Sequence, residues 1–192
     1  TKLHGLVQDP VVPGLAYVNQ PAVHKVNPVD PWQLSEAEVQ ARRQVEQVIK
    51  FYREYVPGQR NAHTIVSAAC IGVRESRRIL GDYVIDIHDV LNCRRFDDGI
   101  ARGAFFVDIH HPERGGLWNP RSLPRGCWYH IPYRCLTPRG LEGILVAGRC
   151  LSATHEALGS IRVMAQCMAM GEAAGTAAAM ACLLYTSDAA DD

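Results

Sequence analysis

Four groups of residues in this chain have the types and spacing for chemistry. The first is the arginine run Arg74, Arg77 and Arg78, with Glu75 among them. One guanidinium of such a run can reach a carboxylate, a hydroxyl or a phosphate, and Glu75 can equally hold its neighbours in a plain ion pair. The second is His110 with His111, after Asp108, where an apolar stretch opens into a Pro- and Gly-rich segment. A histidine so placed suits a general base that takes a hydroxyl proton. A metal role has no support, because no cysteine or carboxylate stands at a matching spacing. The third is Arg134, set between Tyr133 and Cys135 on an expected strand. A buried arginine there needs an anion, either a ligand or a carboxylate of the chain.

The fourth group is the richest. Residues 141–147 read as a short apolar strand running into Gly148-Arg149. A polar loop with His155 follows, and Gly159-Ser160 opens a long helix over 160–181. The unpaired N–H groups of Ser160, Ile161 and Arg162 and the helix dipole would favour negative charge beside them. The two glycines permit close backbone approach. This is either an anion or cofactor site, or an ordinary strand–loop–helix connection.

These groups need elements to hold them. Residues 1–34 carry five prolines, which fits loop or edge-strand material, with short strands at 15–18 and 22–26. Ser35 and Glu38 form a capping box that starts a helix over 36–55, with Pro57-Gly58 ending it. Strands are expected at 62–73, 83–88, 100–109 and 128–136, with a short helix or turn over 86–92 and a long loop over 110–126. The last helix is long enough for a membrane span, but Arg162, Gln166 and Glu172 interrupt it and Ala replaces the usual Leu and Ile.

Composition narrows the class. The chain has 192 residues, 47% of them hydrophobic and 21% charged, which is globular rather than disordered. Basic and acidic residues balance at 20 each, arguing against a nucleic-acid binder. Seven cysteines without a CxxC pair read as free thiols of a cytoplasmic protein, with Cys150 and Cys167 as small core residues. The first residue is Thr, and the string 182–192 resembles a translated sequencing adapter, so the natural protein is expected to be cut at both ends and the tail 182–192 to be non-native.

Ile144-Leu-Val-Ala-Gly-Arg149, Ser152-Ala-Thr-His155, Gly159-Ser-Ile-Arg-Val-Met164 and residues 168–179 together resemble the C-terminal, flavin-contacting end of the FAD-dependent oxidoreductase family. That family belongs to the glutathione-reductase-like flavoprotein superfamily. Residues 71–83, 131–136 and the helix before Tyr55-Val-Pro-Gly58 agree, so the resemblance covers about 35–181. It implies an α/β fold with an α+β substrate region, the C-terminal part of a two-domain Rossmann fold truncated at its N-terminus. The family's GxGxxG unit, which holds the pyrophosphate, does not occur here. The missing N-terminal half of its own chain is therefore the implied partner.

The resemblance also implies FAD as cofactor and a small polar molecule as substrate, with hydride transfer between them. No nucleic acid, membrane or metal is implied. Gly148, Arg149, Gly159, Ser160, Ile161 and Arg162 would lie along the flavin, the last three at its pyrimidine edge, where reduced flavin carries negative charge. Arg149 stands where many superfamily members have Asp, and can contact phosphate instead. His110, His155, Arg74 and Arg134 are the candidate catalytic side chains. The domains expected are a substrate region over 1–136 with its helix at 35–56, a strand–loop–helix over 137–181, and the tail. The alternative is a binding or interaction domain that keeps the fold without turnover.

Overall fold

A computed structural model describes residues 6–8, 12–19, 21–110, 117–118 and 123–188. The chain divides into two compact units, Thr1–Val73 and Arg74–Asp192, so the boundary falls well before the expected one at 136.

In the first unit, strands β1 (Leu6–Gln8) and β2 (Ala16–Val18) pair antiparallel. Helix α1 (Pro31–Tyr55) starts earlier than the capping box predicts. Asp30 is the N-cap, its carboxylate accepting from the Trp32 and Gln33 N–H groups, and Pro31 fills the first helical position. That pair is the stronger start signal, because the proline needs no N–H acceptor and already has helical φ. Ser35 lies inside the helix and donates back to the Pro31 carbonyl at 2.8 Å. Glu38 accepts from the Ile71 N–H at 2.7 Å and pairs with Arg42, which reaches the Ser67 hydroxyl and the Ala69 carbonyl. The expected strand over 62–73 is thus an irregular segment fastened to α1 by side chains. Its apolar residues Ile65 and Val66 are 71% and 82% exposed, so no sheet buries them.

In the second unit, Asp86 caps α2 (Ile87–Leu91) in a capping box with Asp89, as the reading of 86–92 allowed. The Asp89 carboxylate is buried and takes the Tyr83 hydroxyl and Arg94 at 2.8 Å each. Strand β3 (Gly99–Gly103) pairs antiparallel with β6 (Tyr129–Pro132), and β4 (Ile109–His110) with β5 (Leu117–Trp118). The two expected long strands are therefore each interrupted: residues 104–108 are irregular, and 133–135 turn into a 3-10 helix. Ile85 and Ala153 form an isolated parallel bridge.

Residues 141–147 form no strand, and Ile144 is half exposed. Their link to the core is the Val146 N–H donating to the Leu136 carbonyl at 2.9 Å. Among the described residues no neighbouring strand offers them a ladder, and an apolar run without a ladder does not become a strand.

The largest correction concerns the last helix. It is two helices, α3 (His155–Ile161) and α4 (Met164–Asp188). Thr154 caps α3, its hydroxyl accepting from the Ala157 N–H. The Arg162 N–H donates to the Leu158 carbonyl, so Ser160, Ile161 and Arg162 end a helix instead of starting one. The free first-turn N–H groups belong to Met164, Ala165 and Gln166. Met164–Leu184 is long and apolar enough by length and composition to cross a membrane, and Arg162 falls outside it.

The core of this unit gathers Ile85, Val90, Val107, Tyr129, Ile131, Leu136, Leu151, Leu158 and Ile161, all fully buried. Cys135 is buried among them, whereas Cys150 and Cys167 are half-buried. Cys93 and Cys127 form a disulfide, which corrects the expectation of thiols only. The sequence offered no sign of it, because partners 34 residues apart share no local motif.

Candidate functional site

Helix α3 crosses the segment 105–109 closely enough that Gly159 admits no side chain. A Cβ there would stand 2.8 Å from Ile109 Cγ1 and 3.4 Å from the Asp108 carbonyl. The Asp108 N–H donates to the Gly159 carbonyl at 3.2 Å. Ser160, fully buried, donates its hydroxyl to the Phe105 carbonyl at 2.5 Å, and the Tyr129 hydroxyl meets it at 2.7 Å. Strand β6, segment 105–109 and α3 are thereby joined by polar bonds inside an apolar core.

At the outer end of this junction lies a charged network. Arg162 donates from one nitrogen to the Asp108 carbonyl at 2.8 Å and to its carboxylate at 2.9 Å. Arg74 reaches the same carboxylate from the solvent side at 3.2 Å. Burial, then the nearby Arg74 charge, lowers the pKa of Arg162. Next along the chain Glu75 accepts from Arg78 through one oxygen and contacts His155 Nδ1 through the other at 2.5 Å. The expected surface pairing of Glu75 with an arginine is thus present, and the carboxylate also holds a histidine. An ionised Glu75 accepts only, so the proton of the neutral ring sits on Nδ1 and the lone pair on Nε2. The His155 side chain is 57% exposed, which leaves Nε2 open to a reactant.

The candidate residues therefore separate. Arg74, His155 and Arg162 lie in one network. Arg134 does not join it: it is half exposed and donates to Asp98 at 2.9 and 3.3 Å, so the carboxylate of the chain is its partner. His110 contributes its backbone to β4, and its side chain, like the whole of His111, lies outside the described residues. Gly159, Ser160 and Ile161 are fully buried and present no free surface to a ligand. Gly148 has φ +89°, and a Cβ there would meet only Cys167 Sγ, at 4.0 Å. The turn bearing Arg149 thus lies beside the first turn of α4. Sequence reasoning passed over Asp108 and Glu75 as site residues. Each is an acid flanking a group already singled out, which was the available signal.

The fit of an extended anionic cofactor rests on that turn. It combines an open backbone at Gly148, an exposed cation at Arg149 and the unpaired N–H groups at the start of α4. Two buried oxygens of this unit, Ser152 Oγ and Gln166 Oε1, have no hydrogen-bond partner among the described residues. These features fit the ribityl and phosphate part of a flavin nucleotide.

Burial also sets an alkaline limit. It pushes the Tyr129 phenol up to about 12 and the Cys135 thiol up to about 12. Above a pH of about 10 the unfolded chain releases the tyrosine proton and the folded chain keeps it. The stability tied to Tyr129 is therefore whole below about pH 10 and lost as the pH climbs toward 12, by roughly 2–3 kcal/mol at most. Urea midpoints at about pH 9 and about pH 11 should fall more steeply for the wild type than for Tyr129→Phe. Equal slopes would discard this assignment.

A family model described as FAD dependent oxidoreductase matches residues 7–184. The chain is also similar to a subunit of the light-independent protochlorophyllide reductase from Stigeoclonium helveticum, at 29% identity over 94 residues. The corresponding protein from Pleurastrum terricola matches at 28% over 94 residues. Each match covers 49% of this chain, and the chain spans 18% and 17% of the length of these curated relatives. No solved structure matches.

Proposed function

The chain belongs to the FAD dependent oxidoreductase family, with FAD as its cofactor, and from that premise we propose a two-electron redox enzyme acting on a small polar molecule. When bound, FAD supplies hydride-transfer chemistry at its ring system. The turn Gly148-Arg149 binds the ribityl and phosphate portion, Arg149 through its charge. The first-turn N–H groups of Met164, Ala165 and Gln166 take the stabilising role that the sequence assigned to Ser160, Ile161 and Arg162. Gly159, Ser160 and Ile161 act beneath the site, where they fix α3 against segment 105–109.

The observation that carries the catalytic reading is the Glu75–His155 contact at 2.5 Å. Glu75 orients the ring and stabilises it when charged. His155 Nε2 receives the proton of a substrate hydroxyl as the attached carbon loses its hydride. Arg74, held on Asp108 with its guanidinium half exposed, binds the anionic or hydroxyl end of the substrate. The fold proposed for the whole protein is the two-domain FAD-binding Rossmann type, completed by an N-terminal nucleotide-binding unit.

The test uses the whole protein with FAD bound, mixed anaerobically with a panel of small hydroxy compounds, while the visible flavin band is followed. His155→Gln should bind FAD as the wild type does and bleach about a hundredfold to ten-thousandfold more slowly. Glu75→Gln should slow bleaching less than His155→Gln does, because the base remains and only its orientation is lost. A protein that takes up no FAD overturns the cofactor site, and unchanged bleaching by His155→Gln overturns the catalytic one.

A further inference from the structure

The opposite face of the antiparallel β3–β6 pair carries a group that the flavin-side network does not use. Tyr129 and Ile131 point into the core, fully buried, so Trp128 and His130 point away from it. Their rings lie 5.1 Å apart. Arg102 stands opposite His130 in the strand register, between the inward-facing Ala101 and Gly103. Its guanidinium carbon lies over the Trp128 indole, 4.2 Å from the ring centre. Arg95, arriving from another segment, lies over the same ring. The disulfide between Cys93 and Cys127 ties the chain just before Arg95 to the residue preceding Trp128. A covalent tie that close limits the freedom of an exposed arginine and keeps it over the ring.

Two guanidiniums on one indole are each drawn to its face and repelled by each other. Arg74 and Arg162 share Asp108, Arg78 has Glu75, Arg94 has Asp89 and Arg134 has Asp98. Arg95 and Arg102 have no carboxylate partner among the described residues. Loss of hydration and the Arg102 charge both pull the pKa of Arg95 down, the signature of an uncompensated pair. Arg95 also lines a cleft with Arg94, Phe96, Asp97, Asp98 and Arg134.

We propose that Arg95 and Arg102, held on the Trp128 ring, form a binding site for a single oxyanion group, a phosphate or a carboxylate, of a small molecule. Both guanidiniums stand against one indole ring, so their donors lie near enough together to share one oxyanion. The site is independent of the flavin reading, because the residues that meet Ser160 lie on the other face of the same strand.

Isothermal titration of the full 192-residue chain with inorganic pyrophosphate and with citrate, at constant ionic strength set by sodium chloride, tests it. Saturable binding of at least one is expected, weakened about tenfold or more in both Arg95→Gln and Arg102→Gln. Both side chains are exposed, and unchanged circular dichroism confirms that the variants fold. Pyrophosphate alone binding assigns phosphate, citrate alone assigns carboxylate, and reduction of the disulfide should weaken either. No saturable heat, equal binding by the variants, or binding of an RNA oligonucleotide in place of both small anions overturns the site.

Discussion

Arg162→Leu should cost the chain about 3 kcal/mol or more of stability. The guanidinium and its Asp108 partner are 13% and 14% exposed, so the pair replaces much of the hydration that burial removes from the arginine. Removing the arginine takes away the donor that serves both the Asp108 carbonyl and its carboxylate in a mostly buried junction. Arg74 remains, but it meets the carboxylate from the solvent side at a longer 3.2 Å, and that places the loss at the lower end of the buried-pair range. The double variant Arg162→Leu/Asp108→Leu should recover much of the loss, since the burial cost disappears with the charges. Urea midpoints of the wild type, both single variants and the double variant measure it. A midpoint for Arg162→Leu within error of the wild type would remove the pair from the account of this junction.

Tyr129→Ala should cost about 3–5 kcal/mol. The ring is fully buried, and a Cβ on Gly103 would run into it, so that strand has been shaped around the aromatic group. Its deletion opens a cavity beside the β3–β6 pair that backbone shifts fill only in part. Tyr129→Phe separates packing from bonding. It keeps the ring and loses the contact of the hydroxyl with Ser160, for about 1–2 kcal/mol. The Ser160 hydroxyl still has the Phe105 carbonyl to donate to, which limits the penalty. Thermal unfolding of the three proteins should rank them wild type, Phe, Ala. An Ala variant as stable as the Phe variant would mean that the cavity collapses without cost.

The two predictions concern residues of unequal visibility. Arg162 stood out in the sequence, but for a role at a helix start that it does not occupy. The Gly159-Ser160 pair looks like a helix opening because glycine and serine favour helix ends. Thr154 has a better capping position five residues before Gly159, and α3 was already under way when the chain reached Ser160. The same competition moved the start of α1 from Ser35 to Asp30, where cap and proline act together. Strands at 62–73 and 141–147 were expected from apolar runs, yet a strand exists only where another offers its N–H and C=O groups. Periodicity along one segment carries no information about such a neighbour.

Residue types and local order by themselves determined the globular class, the helical identity of 36–55 and most of 160–181, a helix or turn over 86–92, and the family resemblance that the match over 7–184 supports. These depend on terms that act within a few residues: caps, propensities, proline and glycine, and the order of motifs. Tertiary structure alone decided which charges meet. Glu75 reaches His155 across 80 residues, Asp108 reaches Arg162 across 54, and Cys93 joins Cys127 across 34. Such pairs form because burial of the apolar core brings distant segments together and leaves each charge at the junction to find its partner there. Their energy depends on distance and lost hydration, and neither quantity exists until the chain has folded.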